Sequence, residues 1–216
     1  MQAQVEDPEQ APEFQNFFSH CSQGMSLFDV GAHFGIFSLA AAHFGGIALA
    51  IDPSLEALRM VNVQASLNNC SDRIRTIRAA ASDNSGGIDM LAGGVLSDHY
   101  FVVSKGRNQS ELTHLDTVTV DELSLKFGPP SHLKIDVEGY EAAVLRGART
   151  TLKNSAPLVF LELHNEIVAS NGGDQNAALN ELSNLGYQVF GLDGKPASRE
   201  IIFRKPITRV VAKSGR

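Results

Sequence analysis

Several marks of common protein classes are scarce or missing in this chain of 216 residues. There are two cysteines, Cys21 and Cys70, too few for a disulfide framework and at no metal-ligand spacing. They are expected to be reduced thiols in a cytoplasmic protein. There is no surplus of positive charge: 18 Lys and Arg stand against 24 Asp and Glu, and the net charge is -6. That balance argues against a broad nucleic-acid or anionic-membrane footprint and leaves a small molecule as the default partner. Residues 1–15 are acidic and proline-bearing, without the charged start and apolar centre of a signal peptide. The one long apolar run, 35–51, holds His43 and the Gly45-Gly46 pair and falls short of a bilayer span. No internal repeat and no low-complexity segment is present, and the glycine fingerprint G-x-G-x-x-G of dinucleotide-binding folds is incomplete.

With 43% hydrophobic residues the chain is long enough to bury a substantial core, and a single domain is the natural expectation. We expect a lead-in over 1–24, a main domain over 25–204 and a solvated basic tail over 205–216. Everything is organised around residues 27–38, LFDVGAHFGIFS. A short apolar run closes on Asp29, two glycines four apart follow, and then an apolar helix-like segment, which together predict strand, tight turn and helix start. Gly31 can adopt positive φ, and both glycines could let a ligand lie against bare backbone.

Along the chain, Phe14, Phe17 and Phe18 predict a short helix packed on the core. Apolar strands are predicted at 26–30, 47–51 and 74–80, with helices over 34–44 and from Ser54 to about Leu67. Shorter strands are expected at 88–91, 100–103 and 115–120, and then a short helix capped by Asp121. Strands at 132–137 and 158–163 follow, separated by a helix that Glu138 leads into. A helix over 174–185 and a hairpin of strands at 187–192 and around 200–203 complete the alternation. The pattern predicts an α/β fold: a Rossmann-like, doubly wound, mostly parallel seven-stranded sheet with an antiparallel edge strand.

Asp52 closes the second strand 23 residues after Asp29, where a carboxylate holds a ribose diol in such folds. It could equally serve the dipole of the helix that follows. The blocks Asp29-Val30-Gly31-Ala32-His33-Phe34-Gly35, Asp52-Pro53, Ala80-Ala81-Ser82-Asp83, Lys134-Ile135-Asp136-Val137-Glu138-Gly139-Tyr140-Glu141 and Leu161-Glu162-Leu163-His164, in that order, resemble FkbM-family methyltransferases. The departures are His33 in place of the usual Asn and Asp52 in place of the usual Glu. The resemblance implies a class I methyltransferase-like fold and S-adenosyl-L-methionine as cofactor, with methyl transfer to a hydroxyl of a sugar or secondary metabolite. It also implies that Asp29, Gly31, Ala32, His33, Phe34 and Gly35 hold the methionine part of the cofactor, Asp52 and Pro53 the ribose, Ala81, Ser82 and Asp83 the adenine, and Asp136 the amino group.

Asp136, Glu138, Glu162 and His164 sit at predicted strand ends and are the candidate catalytic residues, with His164 titrating nearest neutrality. A divalent ion held by these oxygens and the imidazole ranks below metal-free catalysis, because no spacing demands it. Two rival readings are a nicotinamide-dependent oxidoreductase, disfavoured by the incomplete glycine fingerprint, and a non-catalytic domain that binds S-adenosylmethionine or a nucleoside. A mere binder needs no second carboxylate cluster.

Overall fold

The computed structural model describes residues 10–92, 100–102 and 112–215. Its centre is a seven-stranded sheet built on β1 (Ser26–Val30), flanked by β2 (Ile47–Asp52) and then β3 (Ile74–Arg78) on one side. On the other side lie β8 (His132–Ile135), β9 (Leu158–His164), β11 (Ile207–Ser214) and β10 (Tyr187–Gly191), in that order. The five strands from β3 to β9 are parallel, and β11 runs antiparallel to both of its neighbours. Each of the central strands is a nearly continuous apolar run because helices cover both faces of the sheet. Strand order reverses at β1, between β2 and β8, so the connections after β1 and β8 lead off in opposite directions, and a cleft lies at the carboxyl ends of these strands.

One face carries α1 (Ala11–His20), α2 (Ile36–His43) and α3 (Leu55–Leu67). Phe17 of α1 is fully buried edge-on against Phe37 of α2 and Phe160 of β9, with ring centroids 4.9 and 5.0 Å away. The other face carries α4 (Val120–Phe127), α5 (Glu141–Arg146), α6 (Arg149–Ser155) and α8 (Ala177–Asn184), around a core that includes Val120, Leu145, Leu152 and Leu182. The short helices α7 (Asn165–Ser170) and α9 (Arg199–Ile202) lie in the connections on either side of α8 and β10. A second, four-stranded sheet is formed by β4 (Ala80–Ala81), β5 (Gly86–Ala92), β6 (Tyr100–Val102) and β7 (Leu112–Val118). Val103, expected at the end of a strand, lies outside the described residues.

Several expectations are corrected. The final strand is 207–214, not 200–203: Ser198 caps a helical turn there through its hydroxyl, which accepts from the Ile201 amide. The expected solvated tail instead enters the sheet between β9 and β10, where the consecutive Val210, Val211 and Ala212 are buried on both faces, taking apolar surface out of water. Thr119, not Asp121, caps α4, in a reciprocal capping box with Glu122. Asp121 instead accepts from the Thr150 and Thr151 amides at the start of α6. The helix that Glu138 leads into, α5, starts at Glu141. The strand expected over 74–80 breaks at Ala79, its end joining the second sheet as β4.

Candidate active site

The turn after β1 is shaped by three left-handed residues, Gly31 (φ 78°), His33 (φ 47°) and Gly35 (φ 74°). Their glycines are required by packing more than by a ligand. A Cβ on Gly31 would stand 1.7 Å from the carbonyl oxygen of Asp136, and one on Gly35 would stand 2.8 Å from Val61 Cγ2. Bare backbone at Gly31 is what lets the loop after β8 close onto the loop after β1. The turn still faces open space, because Gly31, Ala32, His33 and Phe34 line a cleft whose floor includes Lys134, Asp136 and Glu162.

Asp29 points away from that cleft. It is buried, and its Oδ2 accepts from the amide (3.0 Å) and hydroxyl (2.6 Å) of Ser38, which anchors α2 to β1. Its Oδ1 is buried without a hydrogen bond, and burial, only partly opposed by Ser38, pushes the carboxyl up to about 7. Asp52 ties the turn to the next helix: Oδ2 accepts from the His33 amide and Oδ1 from the Ser54 amide, both at 2.8 Å. Pro53 follows it, outside the residues that line the cleft. Ala81, Ser82 and Asp83 lie farther along. Gly147 packs so tightly on them that a Cβ there would stand 2.0 Å from the Ser82 oxygen, while Asp83 pairs with Arg146 at 3.0 Å.

The four residues proposed for chemistry converge. His164 is buried at the end of β9, and its Nδ1 lies 2.7 Å from Glu141 Oε1, which also accepts from the Gly139 amide at 2.9 Å. Its Nε2 faces Glu138 Oε2 at 3.4 Å, Asp136 Oδ1 at 3.7 Å and Glu162 Oε1 at 3.7 Å. Glu138 reaches it from a left-handed backbone (φ 51°), an uncommon conformation for a residue other than glycine. Burial alone would lower the imidazole pKa, but the hydrogen bond to Glu141 and the charges of Glu141, Glu138 and Asp136 outweigh it and raise it to about 9. Protonated at neutrality, the ring is a donor, which removes the ground on which the sequence favoured it as a base.

Four further residues that sequence reasoning left out complete the site. Lys134 is buried, with Nζ 3.1 Å from Glu13 Oε1, 3.4 Å from Asp136 Oδ2, 3.8 Å from Glu162 Oε2 and 5.0 Å from the centroid of the Phe37 ring. Burial opposes its charge, yet the three carboxylates hold it above the usual lysine range. Arg209 is the direct cross-strand partner of Glu162 and grips it with a fork, Nε at 2.8 Å and Nη2 at 3.0 Å, while its Nε also meets Glu13 at 3.0 Å. Burial and the charge of Asp136 push Glu162 up to about 7, whereas Lys134 and His164 overcome burial to hold Asp136 below the usual range. A cation between Leu133 and Ile135 in an otherwise apolar strand was the one available signal, since a buried lysine requires partners. Glu13, Arg209 and Glu141 gave none, because each is brought in by packing.

A parallel sheet with this strand order, one antiparallel strand inserted beside its edge, and an acidic cluster at the switch point define a class I methyltransferase fold. The chain belongs to the FkbM methyltransferase family: residues 29–189 match the Methyltransferase FkbM domain. S-adenosylmethionine is the donor that this family and fold employ. Its structure is similar to the methyltransferase FkbM from Methylobacillus flagellatus KT (16% identity, TM-score 0.59), covering 89% of this chain but 44% of that one. The chain thus spans under half the length of that relative. It also resembles SMU.1697c from Streptococcus mutans in complex with SAH (11% identity, TM-score 0.57, 97% and 98% covered). A third likeness is precorrin-6y C5,15-methyltransferase from Geobacter metallireducens GS-15 (11% identity, TM-score 0.54, 97% and 89% covered). No curated protein matches the sequence significantly. Among the described residues no helix is long and apolar enough to cross a membrane.

Proposed function

We propose that this chain transfers a methyl group from S-adenosylmethionine to a hydroxyl of a small molecule. The observation that carries the reading is the convergence of Asp136, Glu138, Glu162 and His164 beside the turn after β1. The residues fit the cofactor: the cleft at 31–34 borders the carboxylates of Asp136 and Glu162, acceptors suited to a cationic ligand, and Asp52 holds the His33 amide at the edge of that cleft. In this reading Gly31, Ala32, His33, Phe34 and Gly35 hold the amino-acid part, with Asp29 fixing the turn from behind. Asp52 and Pro53 border the ribose, and Ala81, Ser82 and Asp83 the adenine.

Held by the turn at 31–35, the cofactor would supply an activated methyl for the acceptor oxygen, with a neutral thioether as the leaving group. The protein then has to align the acceptor, exclude water and accept the hydroxyl proton. Asp136 lines the cleft, and His164, 3.7 Å from it, lines a second cavity together with Tyr140, Arg146, Leu163 and Val168, which is where the acceptor sits in this reading. The alcohol proton leaves toward the carboxylates of Asp136 and Glu138.

The test pairs calorimetric titration of S-adenosylmethionine, S-adenosylhomocysteine and NAD with transfer of labelled methyl to a panel of hydroxylated small molecules. Binding of both S-adenosyl compounds, none of NAD, and label on an oxygen are expected. Label on nitrogen or carbon acceptors alone would overturn the hydroxyl assignment, and binding without transfer to any acceptor class would make the chain a cofactor-binding domain.

A further inference from the structure

The two nitrogens of His164 are treated very differently by their surroundings. Nδ1 makes one short contact, 2.7 Å to Glu141, itself held by the Gly139 amide. Nε2 meets three carboxylate oxygens from three different residues at 3.4, 3.7 and 3.7 Å, each beyond the roughly 2.7 to 2.9 Å of a charge-assisted hydrogen bond. Ligand atoms about 2.1 Å from a small divalent ion in octahedral geometry stand about 3 Å apart, so the contacts from Nε2 to Glu138 and Asp136, at 3.4 and 3.7 Å, would close only slightly around a shared cation. One ligand atom each from Asp136, Glu138 and His164 lies within 4.8 Å of the others. A carboxylate that fixes the far nitrogen of a ligating imidazole is the usual support for such a ligand, and Glu141 stands in that position.

Electrostatics point the same way. Five carboxyl groups, those of Glu13, Asp136, Glu138, Glu141 and Glu162, crowd around two permanent cations, Lys134 and Arg209, and one imidazole. Among the described residues, Lys134 and Arg209 pair with Glu13 and Glu162, and Lys134 also with Asp136 Oδ2, while Asp136 Oδ1 faces His164. The side chains of Asp136 and Glu138 are 32% and 25% exposed, which leaves an entry path on the side where an acceptor would approach.

We propose that Asp136, Glu138 and His164 Nε2 form a binding site for one hard divalent cation of the Mg²⁺ or Mn²⁺ class, oriented by Glu141. Resting on the methyltransferase reading, it assigns the cation the task of gripping the acceptor hydroxyl, whose acidity rises on a metal. Two carboxylates and one imidazole leave coordination positions open for water or that oxygen.

The experiment uses the full chain stripped with EDTA and titrated with Mn²⁺, read by the electron paramagnetic signal of the free ion. About one Mn²⁺ bound per chain is expected, with nitrogen modulation from one imidazole in the pulsed spectrum. Glu138→Gln should weaken binding at least tenfold while circular dichroism stays unchanged, His164→Gln should abolish the nitrogen signal, and Glu56→Gln, an exposed carboxylate on α3 outside the cluster, should alter neither. No saturable Mn²⁺ binding, or binding unaffected by Glu138→Gln, would overturn the site. Titration with S-adenosylmethionine in parallel separates the two readings: cofactor binding and EDTA-insensitive transfer without Mn²⁺ binding would remove the cation and keep the methyltransferase. Mn²⁺ bound with no cofactor binding would do the reverse.

Discussion

Gly31→Ala is the sharpest perturbation this structure offers, because a single methyl group would test whether the turn after β1 is bare for a ligand or for the protein itself. The new Cβ would lie 1.7 Å from the Asp136 carbonyl oxygen, about half a normal contact distance. Relief requires the loop after β8 to retreat, at the expense of the hydrogen bond from the Asp136 amide to the Val30 carbonyl, now 2.9 Å. The left-handed conformation at φ 78° costs alanine about 1 to 2 kcal/mol, the intrusion into packed structure about 1 to 3, and the lost hydrogen bond about 1. The sum, about 3 to 6 kcal/mol, rivals the whole stability of many domains. Urea unfolding followed by circular dichroism should show a midpoint lowered by that loss, with cofactor affinity falling only because the folded fraction falls. A variant that loses under about 1 kcal/mol yet no longer binds S-adenosylmethionine would refute the packing argument and restore the ligand as the reason for glycine.

Lys134→Met should destabilise the fold by about 3 to 5 kcal/mol, the scale for removing one partner of a buried charge cluster, since Glu13, Asp136 and Glu162 would lose their shared cation. Asp136 would lose the cation that holds its carboxyl down and Glu162, already raised to about 7, would rise further, so the deficit should shrink below about pH 4 and grow as pH rises through the raised values. Melting curves across that range check the sign, and a deficit independent of pH would contradict it. For Asp52→Ala, calorimetry and thermal melts should both register a loss, because the carboxylate holds the His33 and Ser54 amides as well as the proposed ribose. We expect affinity for S-adenosylhomocysteine to weaken by about 1.5 to 3 kcal/mol; unchanged affinity would leave Asp52 with a structural role only.

Much of this protein was written locally. The apolar runs at 26–30, 47–52 and 158–164, the intervening amphipathic helices and the glycine turn specify a parallel α/β sheet, because buried parallel strands and their covering helices must each carry that pattern in consecutive residues. The acidic residues at the ends of β1, β2, β8 and β9 were equally legible, since strand ends can be counted along the chain.

What depends on distant pairing was not legible. Arg209 meets Glu162 only because 207–214 inserts antiparallel beside β9, and a basic stretch with short apolar alternation looks the same as a solvated tail until that partner exists. Glu13 reaches Lys134 only because Phe14 and Phe17 seat α1 on the sheet, so both chain ends, expected to lie outside the main domain, help to build its site. Gly31 reads in sequence as room for a ligand, and only the fold shows Asp136 filling that room. His164 reads as a base, and only its burial among Glu138, Glu141 and Asp136 raises its pKa and makes it a protonated ring. Charge state, close approach and coordination are set by atoms far apart in sequence, so only tertiary structure decides them.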